Sequence, residues 1–330
     1  MAKVGGMKEI GVPVKGAVVV GPIPGKDSAG KPCLYAVAGQ EAGDKGGVFI
    51  LQIDIETGAC RRFDAPVRAA GARPSFWSDR WQCLFIGASG REHHAVKESG
   101  WLLRFDPRKE QVENLGLVHP GRNPFPVGIA EAADGSIYIG CCPDCTLYRW
   151  DPASGKIARC GQADESEYYA YPACGDDGTV AVVPRMMRPR VVLYDPATGD
   201  FKSVGPVADT QAQKGFIDLC KGADGLLYLN SHEGWFQISG MEARPVKDEP
   251  RRPAQVTLPD GSTFRFIGQQ PPRVIEIRRP DGTQKSLRLN YDGEGVEIYL
   301  VRPAPNGKLY GSSVLPLHFF EYEPKKLTPR

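Results

Sequence analysis

Histidines beside carboxylates are the first feature of this sequence that could do chemistry. His93 and His94 follow Glu92, and His232 precedes Glu233. Imidazole titrates near neutral pH and binds metals, so such pairs are typical of general bases and of metal sites. The predicted ligands of a divalent metal (Mn²⁺, Mg²⁺ or Ca²⁺) are His93, His94, His232 and Glu233. The alternative is that these histidines are simply solvated.

Cationic and aromatic residues occupy similar irregular segments. Guanidinium offers a bidentate fork for a carboxylate or sulfate, and tyrosine rings can stack on sugar rings. The predicted ligand-binding residues are Arg91, Arg122, Asn123, Tyr171, Arg185, Arg188, Lys214 and Asn230. The predicted catalytic bases are His232 and Tyr169. The alternative is that arginines and tyrosines cover loop surfaces and the seams between repeats.

A cluster of cysteines spans residues 141–145. The spacing of Cys142 and Cys145 occurs in zinc knuckles and thiol redox centres. Here the motif bridges two predicted strands, whereas a redox thiol needs a helix N-terminus, and the sequence has no second paired-cysteine motif. We therefore predict buried or turn cysteines at this place.

A repeated element must position these residues. Similar turns contain an aspartate at spacings of 52, 45 and 44 residues, at Asp54, Asp106, Asp151 and Asp195. An Asp-Gly turn that leads into an alternating strand precedes most of them, as at residues 134–135 and 177–178. Both turn types suit tight connections between strands. With a strand before each Asp-Gly turn, one repeat has four antiparallel strands, which is typical of a propeller blade.

The period predicts an all-β protein that forms a single β-propeller over residues 1–330. Seven four-stranded antiparallel blades are expected, with six blades or a stacked β-solenoid as alternatives. The predicted blades lie near residues 30–68, 74–118, 125–161, 170–207, 215–246 and 296–328. The interval 247–295 carries two further hairpins and is predicted to be a degenerate blade or an insertion.

The two faces of such a propeller differ in chemistry. The stereotyped turns, between the first and second and the third and fourth strands of each blade, share one face, here called the regular-turn face. The remaining connections share the other, here called the irregular face. Because these connections carry the varied side chains and converge on the channel mouth, we expect the ligand site there.

Composition limits the partners and the compartment. The formal net charge of +2 is too close to zero to attract nucleic acid or a membrane by bulk electrostatics. No stretch approaches about 18 consecutive apolar residues, and the N-terminus lacks the apolar segment of a secretory signal. Nine cysteines in a long chain favour a reducing compartment. We expect a cytoplasmic protein with a small-molecule or glycan ligand.

The repeat, an Asp-Gly turn into a strand and then Tyr-Asp-Pro-Ala-Thr-Gly, resembles the blades of virginiamycin B lyase-like and gluconolactonase-like propellers. The resemblance is best over residues 130–230. The lyase-like family implies a divalent metal and a histidine near the channel mouth, and His232-Glu233 occupies a comparable loop. Two functions stay open: a metal-assisted lyase acting on an acidic sugar, and a non-catalytic propeller that binds a protein or glycan.

Overall fold

A computed structural model describes the chain except for its two ends and several connections. The described residues are 18–39, 47–67, 69, 71–90, 100–118, 125–267, 274–291, 298–313 and 318–324. They form 26 strands in seven antiparallel sheets, which confirms the predicted all-β propeller with seven blades. Within these ranges, no helix is long and apolar enough to cross a membrane.

Five sheets have four strands each, connected in sequence order. The first contains β1 (Val18–Lys26), β2 (Pro32–Gly39), β3 (Val48–Ile53) and β4 (Cys60–Asp64). The second contains β5 (Gly71–Ser78), β6 (Cys83–Ser89), β7 (Gly100–Asp106) and β8 (Gln111–Leu117). The third contains β9 (Phe125–Glu131), β10 (Ile137–Cys142), β11 (Thr146–Asp151) and β12 (Lys156–Gln162).

The remaining sheets follow along the chain. The fourth contains β13 (Tyr169–Cys174), β14 (Val180–Arg185), β15 (Val191–Tyr194) and β16 (Phe201–Val204). The fifth contains β17 (Ile217–Lys221), β18 (Leu227–Ser231), β19 (Gly234–Ser239) and β20 (Glu242–Val246). Among the described residues, the last two sheets have three strands each. They are β21 (Thr263–Ile267), β22 (Val274–Arg278) and β23 (Gln284–Arg288), then β24 (Ile298–Pro303), β25 (Leu309–Ser313) and β26 (Phe319–Tyr322).

The repeated turns have the backbone geometry that their sequences predict. In the β9–β10 turn, Asp134 accepts a hydrogen bond from the Ser136 N–H at 2.9 Å, and Gly135 has a φ of +85°. In the β11–β12 turn, the Gly155 N–H donates to the Asp151 carbonyl at 2.8 Å. Because the strands alternate in direction, both turns lie at the same end of the sheet.

Apolar side chains fill the spaces between neighbouring sheets. Tyr35 of the first sheet packs edge-on against Phe105 of the second, with ring centroids 5.6 Å apart. Tyr138 of the third sheet packs in the same way against Tyr194 of the fourth, at 6.1 Å. Similar clusters join the second sheet to the third and the fourth to the fifth. The first five sheets are therefore each held by burial against the next, as in a propeller.

The first sheet also packs against the sixth. Phe49 of β3 lies in one buried cluster with Ile275 of β22 and Leu287 of β23. The interval 247–295, for which the sequence predicts a degenerate blade or an insertion, contains the sheet that packs against the first one. The seventh sheet is more open, since Tyr299 and Phe319 are 75% and 84% exposed.

Glycines on one sheet make room for prolines on the next. A Cβ added to Gly87 of β6 would lie 2.6 Å from Pro126 of β9. One added to Gly140 of β10 would lie 2.1 Å from the Ala170 carbonyl oxygen and 2.7 Å from Pro172, both in β13. The glycine in the second strand of a sheet therefore lets the first strand of the following sheet pack closely against it. Gly140 positions β13 in this way.

Candidate functional site

The structure describes eight of the predicted site residues. Arg91, His93, His94, Arg122 and Asn123 lie outside the described residues, so their roles stay predictions. Three of the eight lie in strands where the sequence predicted rim loops: Tyr169 and Tyr171 in β13, and Asn230 in β18. The other five lie at or beyond strand ends on the irregular face: Arg185, Arg188, Lys214, His232 and Glu233.

Two tyrosines and an arginine form a short ladder on the fourth sheet. Tyr169 pairs with Arg185 in the β13–β14 register, and the Arg185 guanidinium carbon lies 5.4 Å from the centre of the Tyr171 ring. The rings of Tyr169 and Tyr171 are 6.2 Å apart, as expected for side chains on one face of a strand. Tyr171 and Arg185 are exposed, so a cation and an aromatic ring face solvent together.

The connection between β16 and β17 contacts the loop at residues 186–190. This loop joins β14 to β15 and directly follows Arg185 of the ladder. The Ala208 N–H donates to the Pro189 carbonyl at 2.9 Å, and the Thr210 N–H donates to the Met187 carbonyl at 3.0 Å. Lys214 belongs to the same connection, where its backbone pairs with that of Asp209. The loop at residues 186–190 and the connection between β16 and β17 are therefore joined by backbone contacts on the irregular face.

His232 is joined to this group through Gly215. His232 and Glu233 form the two-residue turn between β18 and β19, and the Ser231 hydroxyl closes it by donating to the Gly234 carbonyl at 3.0 Å. The imidazole lies so close to Gly215 that an added Cβ there would be 2.5 Å from Nδ1. Here the name rim site is used for Tyr169, Tyr171, Arg185, Arg188, Lys214 and His232.

Replacing Gly215 by alanine should move the His232 ring. Gly215 has a φ of +74°, so the substitution also strains the backbone by roughly 1–2 kcal/mol. Gly240→Ala is the matched control, because Gly240 has a φ of +56° and an added Cβ there would meet nothing within 4 Å. We expect similar losses of stability but a shifted His232 imidazole NMR signal only in Gly215→Ala. Equal shifts in both variants would contradict this contact.

The cations of the rim site have no carboxylate partner in the described part of the chain. Arg190, in the same loop, is paired with the buried carboxylate of Asp164. Arg185, Arg188 and Lys214 form no such ion pair with any described residue, and all three are exposed. Unpaired cations beside aromatic rings are suited to binding an anionic ligand.

A metal site is not assembled by the described residues alone. His232 Nε2 lies 3.7 Å from Glu233 Oε1, which gives two potential donors. The ranges that the structure describes contain no group of three or more histidine, cysteine, aspartate or glutamate side chains that could hold a metal ion. Mg²⁺ and Ca²⁺ take six or more oxygen ligands, so this pair by itself does not fit such an ion.

The cysteine motif is structural, as predicted. Cys142 ends β10, and Cys145 lies just before β11, with both side chains fully buried. The Cys145 thiol donates a hydrogen bond to the Tyr169 carbonyl at 3.2 Å, and burial raises the pKa of Cys145 to about 12. A redox thiol needs a lowered pKa, so the environment favours an inert side chain. All nine cysteines are free.

Comparison with known proteins gives structural matches only. No family model and no curated protein matches the chain. The fold is similar to a streptogramin B lyase, with 15% identity and a TM-score of 0.48 over 94% of each chain. It is similar to virginiamycin B lyase from Staphylococcus aureus, with 14% identity and a TM-score of 0.44 over 87% of this chain and 95% of that one. A periplasmic gluconolactonase from Pseudomonas aeruginosa has 15% identity and a TM-score of 0.44 over 91% and 88%.

These matches bear the names of the same kinds of protein that the repeat resembles. Their low identities and TM-scores carry nothing about activity. The function is therefore inferred below from this chain's own residues.

Proposed function

We propose that the rim site binds an acidic sugar. The observation that carries the proposal is the position of Arg185, unpaired by any described carboxylate and 5.4 Å from the ring of Tyr171. A uronate presents a carboxylate beside an apolar ring face. Guanidinium matches the carboxylate, and the tyrosine can pack on the ring. Arg188 and Lys214 add positive charge on the same face of the molecule.

The proposed reaction is β-elimination from the bound uronate. Neutralising the carboxylate acidifies the neighbouring C–H, and a base, either His232 or Tyr169, takes that proton. The electron pair of the broken C–H bond forms a C=C bond, and the glycosidic C–O bond breaks with its pair on the leaving oxygen. That oxygen takes up a proton and leaves as an alcohol. No step in this scheme passes through a metal, although metal assistance stays a prediction.

Binding without catalysis is the second candidate. Two apolar side chains next to the rim site are unusually open, with Met186 54% and Phe216 50% exposed. Exposed apolar residues beside polar ones are typical of surfaces that bind a protein or glycan. This candidate requires the same binding residues but no base.

The test is incubation of the protein with trigalacturonate. We expect ultraviolet absorbance from the unsaturated product. This absorbance should be lost in His232→Ala if His232 is the base, or in Tyr169→Phe if Tyr169 is the base. Parallel reactions with EDTA and with added Mn²⁺, Mg²⁺ or Ca²⁺ separate metal-dependent from metal-independent turnover. Calorimetry on the same samples measures binding. Binding without product would overturn the lyase and support the second candidate, whereas no binding would overturn both for this ligand.

A further inference from the structure

A buried carboxylate binds the backbone of the loop at residues 186–190. Glu167 lies in the connection before β13 and is only 3% exposed. One carboxylate oxygen accepts the Met187 N–H at 2.9 Å, and the other accepts the Arg188 N–H. A buried charge is costly unless its hydrogen bonds are made, so both amides are tied firmly to this one side chain.

Glu167 is itself fixed by a second buried carboxylate. Asp164, 7% exposed, accepts the Ser166 N–H at 2.7 Å and the Glu167 N–H at 3.1 Å. It also forms an ion pair with Arg190 at the far end of the loop. The connection before β13 therefore holds both halves of the loop, through Glu167 and through Asp164.

The backbone of Arg188 is held at both of its polar groups. Its N–H is bound by Glu167, and its carbonyl accepts the Arg190 guanidinium at 3.1 Å. The neighbouring Met187 carbonyl accepts the Thr210 N–H from the other side. While the backbone is fully engaged, the Arg188 side chain is exposed and unpaired by any described carboxylate. The arrangement presents one arginine at a defined place.

We propose that Glu167 is the positioning residue of the rim site: by binding the Met187 and Arg188 amides, it sets where the Arg188 guanidinium meets an anionic ligand. The proposal rests on the proposed ligand-binding function. Arg185 does not need this support, because it is placed by its strand pairing with Tyr169. Glutamine cannot replace Glu167, since its amide nitrogen would face an N–H donor and only one of the two bonds would survive.

The test compares Glu167→Gln with Glu165→Gln, a matched control in the same connection whose side chain is exposed. Hydrogen exchange at the Met187 and Arg188 amides should accelerate at least tenfold in Glu167→Gln and stay within twofold in the control. Glu167→Asp keeps the charge but shortens the side chain, and should give an intermediate acceleration. If Glu167→Gln folds poorly, Glu167→Asp takes its place in the comparison with Glu165→Gln. Unchanged exchange at both amides would overturn the proposal.

A double-mutant cycle tests the route through Arg188. Glu167→Gln should weaken trigalacturonate binding about tenfold in the natural protein and have no further effect in an Arg188→Ala background. The same tenfold loss in both backgrounds would overturn a role through Arg188. If the unmutated protein fails to bind trigalacturonate, the proposed function fails, while the amide exchange still decides whether Glu167 holds the loop.

Discussion

Replacing Gly140 by alanine is expected to lower the free energy of unfolding by about 3 kcal/mol or more. The added Cβ would lie 2.1 Å from the Ala170 carbonyl oxygen, a backbone atom that cannot turn aside, and 2.7 Å from Pro172. Relief requires the third and fourth sheets to move apart, which opens the buried space between them. Urea unfolding measures the loss directly.

Gly47→Ala is the control for this prediction. Gly47 has ordinary backbone geometry, and an added Cβ there would meet nothing within 4 Å. Its effect should stay within about 0.5 kcal/mol. If Gly140→Ala were as mild as Gly47→Ala, β13 would not be seated against β10 as the structure shows, and the positions of Tyr169 and Tyr171 would be in doubt with it.

The second large effect is expected on binding. Replacing Arg185 and Arg188 together by alanine should weaken trigalacturonate binding about a hundredfold or more, because two charge-assisted hydrogen-bonding groups are lost. Stability should change by no more than about 1 kcal/mol, since both side chains are exposed and the loss is confined to the Arg185–Tyr171 contact. Calorimetry and thermal unfolding measure the two effects separately.

The control removes the same positive charge elsewhere. Lys156 and Lys202 are exposed on the outer strands β12 and β16. Their double alanine variant should bind within about twofold of the natural protein at physiological ionic strength, because distant exposed charges are screened. Equal losses in the two double variants would mean that net charge, and not the rim site, governs the affinity.

The repeat made the architecture predictable from sequence. Asp-Gly turns and the Asp151 and Asp195 turns need particular backbone conformations, and Gly155 and Gly199 have the expected positive φ of +66° and +82°. Local chemistry decides such turns, so one sequence suffices to place them. It also placed His232 correctly in a connection between strands.

Tyr169 and Tyr171 lie in a strand, although the sequence predicted an irregular connection there, and this strand contains Pro172. The structure shows why proline is tolerated there: β13 is the edge strand of its sheet, paired only with β14. An edge strand has one side without ladder partners, so the missing N–H of proline costs nothing on that side.

Contacts between blades could not be predicted at all. Gly140 and Pro172 meet across two sheets, and strand periodicity does not tell which residues face each other between sheets. Gly215 and His232 meet between two connections, one before β17 and one after β18, and periodicity says nothing about contacts between connections. The sequence analysis does not single out Glu167, because its burial depends on packing between connections. The one nearby sequence signal is Asp164-Glu165-Ser166, which is typical of a turn. The Asp164 carboxylate accepts the N–H two residues later, as the Asp134 carboxylate accepts the Ser136 N–H.

The most direct test of the central claim is a crystal structure of the protein with trigalacturonate. We predict a uronate carboxylate within hydrogen-bonding distance of the Arg185 and Arg188 guanidinium groups, with a sugar ring packed against Tyr171 and a C–H directed toward His232 or Tyr169. Trigalacturonate bound at the regular-turn face, or bound on the irregular face away from both arginines, would contradict the account.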